Sequence, residues 1–376
     1  MQSPNFFLTI QDILASVYHS VLMGIITMPR ARRFVAFLPL FFAAAPAIDA
    51  AQPPAAPVVG NQPGQAGTAN PSGKAASRPE DVPATPDHPA PEELALETSD
   101  GIQLKAWYYA VAKDATPAAT VILVHDLEGD HKSVEPLALS LQELGFAVVA
   151  PDLRGHGAST ARSAGGRSES LDARTLRKNE LESISQAAGG TVREQSAVRG
   201  DIEAVRNWIK RKSDDGELDI NRLCVVGSGA GAILVSMWTA ADWAWPPIAT
   251  GPQGRQVRAV VLVSPVWATK GISVSTAMAS DTLKHDIPLM VLGGGNDRDA
   301  ERLFEQLRRQ RPAGWFEQRP GKPPEKSPKL GKIADADLVF IELDSTLSAD
   351  KLATDAAATA ADRIKTFLSL VLDRRR

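Results

Sequence analysis

From Leu94 onward the sequence alternates short continuous apolar runs with longer stretches of helical spacing. LALETSDGIQLKAWYYAVA predicts two strands joined by a turn at Ser99-Asp100-Gly101. Ala119–His125 (ATVILVH) is apolar without interruption, as expected of a strand buried on both faces. Lys132–Leu144 has helical periodicity and stops at Gly145, a C-cap signal. Phe146–Ala150, Leu223–Val226, Val257–Val263, Ile287–Leu292 and Leu338–Ile341 predict further buried strands. Helices are predicted over Ser196–Lys212, with Val198, Ile202, Val205 and Ile209 on one face, and over Ala232–Ala241, Arg298–Gln310 and Lys351–Leu372. Strands alternating with helices imply a mostly parallel central sheet covered by helices on both faces, an α/β fold.

The first 93 residues follow another pattern. Arg30, Arg32 and Arg33 precede the apolar stretch Phe34–Ala45, and Ala45-Pro46-Ala47 resembles a cleavage site. These are the parts of a secretory signal peptide, and the apolar stretch is short for a membrane span. Residues 28–50 are therefore expected to be an export leader, periplasmic or secreted in destination; an uncleaved membrane anchor is the alternative. Met28 is a candidate start, with residues 1–27 as an upstream extension. Residues 51–93 are rich in Ala, Pro, Gly, Gln and Ser, too poor in apolar side chains to offset the entropy of ordering. They predict a tether, leaving 94–376 as the working domain, with a polar cap around 160–197.

Three motifs arrive in a meaningful order. The strand end VILVHD is followed by Pro151-Asp152-Leu153-Arg154-Gly155-His156-Gly157-Ala158-Ser159. Then Val225-Val226-Gly227-Ser228-Gly229-Ala230-Gly231 joins a buried strand to a helix. The second motif is nearly identical to the PDxRGHGxS pattern of α/β-hydrolases of the serine-aminopeptidase and monoglyceride-lipase type, and the third resembles their nucleophile elbow. The resemblance spans roughly Leu94–Leu372 and implies the α/β-hydrolase fold. It places an acid at Asp297, after the run Gly293-Gly294-Gly295-Asn296. It also places oxyanion-type backbone N–H groups at Asp126 or Leu127 and at Ala230.

The same alignment exposes two vacancies. An elbow needs small residues two positions either side of its nucleophile. Gly227 and Gly231 supply them, so the nucleophile position is Gly229. Centring the motif on Ser228 would put Val226 where a small residue is required and would slip the strand register. The triad's histidine should follow the last strand, near Asp344–Ser348, yet of the six histidines none lies beyond His285. Without imidazole a serine hydroxyl is a poor nucleophile. The expectation is a pseudo-hydrolase with a binding or scaffolding role, its partner a small acyl or carboxylate ligand or another protein. The alternative is an active esterase, lipase or peptidase-like enzyme using Ser228 or an unorthodox site.

Composition narrows this further. The 41 Lys+Arg against 44 Asp+Glu give a net charge of −3, without the basic excess of a nucleic-acid-binding domain. One cysteine, Cys224, excludes an internal disulfide and, inside a strand, reads as core. His125, Asp126, Asp130 and His131 match no metal-ligand spacing, and no cofactor motif appears. Trp243 and Trp245 are expected to pack the end of their helix, and the Pro/Lys/Arg-rich stretch Arg308–Lys332 to be solvated loop.

Overall fold

The computed structural model describes residues 88–164, 166–187, 200–246 and 254–374. The expected leader, the extension before it and the tether up to residue 87 lie outside the described residues.

The strands are β1 (Glu92–Glu97), β2 (Ile102–Tyr109), β3 (Thr120–Val124), β4 (Ala147–Pro151), β5 (Ala161–Ala164), β6 (Arg167–Ser170), β7 (Leu223–Ser228) and β8 (Val257–Val263). They continue with β9 (Ala268–Thr269), β10 (Ile272–Ser273), β11 (Leu289–Gly294), β12 (Trp315–Gln318), β13 (Glu325–Lys326) and β14 (Leu338–Leu343). The main sheet runs β13-β12-β14-β11-β8-β7-β3-β4-β2-β5-β6, with β1 paired to β2 and a separate β9–β10 ribbon. From β12 to β4 every neighbouring pair is parallel; β2, β5, β6 and β13 pair antiparallel at the two ends.

Helices are α1 (His131–Glu143), α2 (Lys178–Ile184), α3 (Asp201–Asp214), α4 (Ala230–Trp243), α5 (Val274–Ala277), α6 (Arg298–Gln310), α7 (Ala349–Asp355) and α8 (Ala357–Arg374). Alternation along each strand feeds two cores. Ile122, Val124 and Val225 pack with Ile202 and Val205 of α3, Ile233 of α4 and Phe304 of α6. Val121, Leu123, Cys224 and Val226 pack with Leu137 and Leu141 of α1 and Ile364 and Leu368 of α8. Side chains of period two, each face covered by helices, explain why these runs are apolar at every position.

Three expectations change. The single C-terminal helix is two, separated at Ala356 (φ −109°, ψ 20°), and the break lets α7 lie against α1. Arg308–Lys332 is not wholly solvated loop: Trp315 and Phe316 are buried, and β12 adds to the sheet beside β14. The polar stretch after Thr160 contributes a hairpin, β5–β6, that extends the main sheet through β2. The region of the expected cap therefore begins as sheet edge, before α2.

Candidate functional site

Strand β7 delivers the chain to the elbow. Gly229 follows it with φ 54° and ψ −120° and caps α4, whose first residue is Ala230. A side chain seldom tolerates that backbone; glycine adopts it at little cost. The turn is tight: a Cβ at Gly227 would lie 2.6 Å from Gly231 O, and one at Gly231 would lie 2.6 Å from Val124 O. The small pair seen in the sequence is thus required by backbone contact.

Ser228 ends β7 and is fully buried. It lies on the side of Asp350, whose carboxylate it helps to favour. No hydrogen bond of good geometry forms between them, and the Ser228 hydroxyl has no partner.

The space above Gly229 is filled. Asp126 Oδ1 accepts hydrogen bonds from the backbone N–H groups of Leu127 (2.8 Å) and Ala230 (2.8 Å). A Cβ at Gly229 would lie 2.7 Å from both Asp126 carboxylate oxygens and nearer still to Cγ. The two donors expected to face a ligand are therefore occupied by the chain's own carboxylate, which sits where a nucleophile's side chain would begin. The third candidate donor, Asp126 N–H, turns instead to Asp350 (3.0 and 3.2 Å). Burial pushes the Asp126 carboxyl above the usual carboxylate range; the Ala230 and Leu127 N–H groups oppose that rise, and the nearby Asp350 charge adds to it.

Asp350 is the residue that sequence reasoning missed. It stands in the first turn of α7, just past the loop where a histidine was sought, and is almost completely buried. Its carboxylate accepts the Ser133 hydroxyl (2.5 Å) as well as Asp126 N–H. Burial raises its pKa, and the hydrogen bonds from Ser133 and Asp126 partly offset the rise. The preceding Ala349 is held at φ 49°, an uncommon conformation for a residue with a Cβ. The loop before it closes on backbone bonds, including Gly295 N–H to Ser345 O (2.6 Å).

Asp297 caps α6, accepting Ala300 N–H (3.0 Å) through Oδ1 and the Ser264 hydroxyl (2.5 Å) through Oδ2. Burial raises its pKa against these two bonds. Its oxygens are thus engaged with a serine and a helix end rather than an imidazole.

The three histidines nearest the elbow motifs, His125, His131 and His156, are committed elsewhere. His125 Nε2 accepts Leu153 N–H (3.1 Å), so the ring proton sits on Nδ1 and is donated to Asp126 O (2.6 Å). Complete burial holds that imidazole neutral, its pKa pushed down to about 4. His156 spans Arg154 O (2.9 Å) and Leu127 O (3.0 Å). His131 stacks on Trp107 with ring centroids 3.3 Å apart and contacts Asp152 (2.8 Å).

Around this core the PDLRGHG loop is a buried polar network. Asp152 accepts His131 N–H (2.8 Å), the His131 ring (2.8 Å) and Ala158 N–H (2.7 Å). Burial alone would raise the Asp152 carboxyl; these bonds outweigh it and hold it below the usual range. Arg154, also buried, grips Asp201 through Nε (2.9 Å) and Nη2 (2.7 Å) and reaches Asp100 through Nη1 (2.7 Å). The loop is thereby fastened to α3 and to the β1–β2 turn.

A cleft of about 660 Å³ opens over the elbow, with Asp126, Leu127 and Ala230 on its floor side and His156, Arg174 and Lys270 among its other walls. Ser228 does not line it. Among the described residues no group of three His, Cys, Asp or Glu side chains is arranged to hold a metal. No helix among them is long and apolar enough to cross a membrane.

A mostly parallel sheet with helices on both faces, and a tight strand–Gly229–helix turn at the end of β7, is the architecture of α/β hydrolases. The profile of the alpha/beta hydrolase family matches residues 121–372, more than half of the chain. The chain belongs to that family. Two uncharacterized proteins of Mycobacterium tuberculosis, from strains CDC 1551 / Oshkosh and ATCC 25618 / H37Rv, are each 24% identical over 146 residues. That match covers 39% of this chain and 40% of the length of those relatives. Among solved structures, an esterase of Pyrococcus furiosus is similar at 14% identity and a TM-score of 0.47, covering 75% of this chain and 91% of that one. A dienelactone hydrolase of Anabaena variabilis is similar at 15% identity and a TM-score of 0.42, covering 74% and 97%.

Proposed function

We propose that this α/β hydrolase does not carry out Ser-His-Asp catalysis and serves as a binding or scaffolding protein. The observation that carries the reading is the Asp126 carboxylate, bonded to Leu127 N–H and Ala230 N–H directly over Gly229. An oxyanion hole works by offering unoccupied donors to charge that develops in the transition state. Here that charge is already present, fixed and covalently tethered. An incoming carbonyl oxygen would have to displace a carboxylate, and Gly229 at the elbow carries no hydroxyl to attack it. The acid Asp297 bonds Ser264, and the loop at 344–348 has no imidazole to take a proton. An acyl or carboxylate ligand, expected from sequence to use these N–H groups, competes with Asp126 for them, so occupancy of the cleft outside the hole is the favoured mode.

The second reading is a serine hydrolase using Ser228, favoured by the proximity of Ser228 to Asp350. Against it stand the complete burial of Ser228 and its position away from the cleft. Turnover of short acyl esters and aryl amides by the full chain separates the two. Hydrolysis no faster than buffer supports the binding role; hydrolysis abolished by Ser228→Ala overturns it. Export is part of the proposal and rests on the leader pattern of residues 28–50. Fractionation of expressing cells tests it: full-chain protein confined to the cytoplasm would contradict export.

A further inference from the structure

We propose that a second cleft, at the opposite end of the sheet from the elbow, binds a phosphoryl-type anion. It lies where β7 and β8 begin, has a volume of about 520 Å³, and is walled by Arg206, Asn221, Trp243, Trp245, Arg255 and Arg258. The proposal is independent of the hydrolase reading.

The cleft is built by a fixed turn. Asp242, buried near the end of α4, accepts Gln256 N–H (2.9 Å) and Val257 N–H (3.3 Å) through its carboxylate and Arg255 N–H (3.1 Å) through its carbonyl. Gly254 and Arg255 both adopt left-handed backbone, at φ 62° and 55°. A Cβ at Gly254 would collide with Asp242 O and lie 3.2 Å from Trp245 Cγ. For a long side chain such as Arg255 that conformation is uncommon, and such residues persist where the surroundings over-determine them.

This turn places Arg255 over Trp243, 5.7 Å from the ring centroid, while Trp243 Nε1 is anchored on Val257 O (3.1 Å). Arg206 lies over Trp245 at 5.8 Å and is held by Gln256 (2.5 Å), Asn207 (2.8 Å) and Glu203 (3.6 Å). Arg258 donates Nε to Asn221 O (2.7 Å). Among the described residues no carboxylate oxygen lies within 4.0 Å of the Arg255 or Arg258 guanidinium, whereas Arg206 pairs with Glu203. Asp242, buried behind the turn, accepts backbone N–H groups, and the nearby Arg206 and Arg258 charges favour its ionised form. Arg255, braced on the Trp243 face, and Arg258, anchored through Nε on Asn221 O, bring two guanidiniums to one wall, and guanidinium nitrogens match the geometry of phosphoryl oxygens.

Titration of the full chain with inorganic pyrophosphate, followed by calorimetry and tryptophan fluorescence, tests this. Saturable single-site binding is expected, weakened about tenfold or more by Arg255→Ala and by Arg258→Gln and unchanged by Arg309→Ala. Thermal melting of each variant reports folding, and the two arginine variants disturb different backbone positions, so one misfolded protein leaves the other informative. No saturable binding by the wild type, or equal binding by all folded variants, overturns the proposal. Sedimentation with phosphatidylcholine vesicles containing phosphatidylglycerol identifies the source. Vesicle binding that pyrophosphate competes away assigns a lipid headgroup, and pyrophosphate binding without vesicle binding assigns a soluble phosphoryl ligand.

Discussion

The PDLRGHG loop and the elbow lie side by side, and in the proposed reading one keeps its family pattern while the other has lost its nucleophile. In the loop almost every polar side chain is buried and bonded inside the protein: Asp152 to His131 and Ala158, Arg154 to Asp201 and Asp100, His156 to Leu127 O. At the elbow the residue that would touch substrate is a glycine. The difference separates two reasons for a motif. The loop's residues hold the fold together, because a buried charge stripped of its partner is costly. An elbow nucleophile holds nothing together and carries backbone strain, so its loss relieves a cost rather than creating one.

The contrast is broken most severely at Arg154. Arg154→Ala leaves Asp201 buried without its guanidinium and should destabilise the protein by about 3–5 kcal/mol, read as a fall in the urea midpoint. A loss below about 1 kcal/mol would mean that the loop network is not structural. The elbow predicts the reverse behaviour. Gly229→Ser should cost about 1–3 kcal/mol, since the new side chain meets Asp126 in a strained turn. In an Asp126→Gly background the same change should cost clearly less; additive costs in a double-mutant cycle would show that the two positions do not share one space.

A smaller effect sharpens the role of Asp350. Its pKa is raised by burial, so it contributes stability while protonated and withdraws it as pH rises through the raised value. Asp350→Asn cannot ionise. Its melting temperature should therefore gain on the wild type's as pH rises from the ordinary carboxylate range through the raised value; a difference that is flat or shrinks with pH would contradict the assignment. Smallest of all is Ser228→Ala. Removing a buried hydroxyl with no partner should change stability by less than about 1 kcal/mol in either direction. A loss well above that in urea unfolding would reveal a hydrogen bond holding the elbow.

Much of the fold was legible because strands buried on both faces must be apolar throughout, as β3 and β4 are. Strand β12 was hidden because Trp315 and Phe316 sit among prolines, lysines and arginines that suggest solvent. The tight turn centred on Gly229 was legible from spacing alone, since close backbone approach dictates where small residues fall. Its occupant was not. Whether Asp126 turns toward Leu127 N–H and Ala230 N–H depends on the elbow folded beside it. Asp350 meets Asp126 across a separation of 224 residues, joined by a helix break at Ala356 that no glycine or proline announces.

The most direct measurement is intact-mass analysis of the full chain after incubation with a fluorophosphonate, which adds covalently to an activated serine. With Asp126 filling the donor pair and glycine at the elbow position, the proposal predicts that the mass remains that of the unmodified protein. A stoichiometric adduct that disappears in Ser228→Ala would contradict the loss of catalysis.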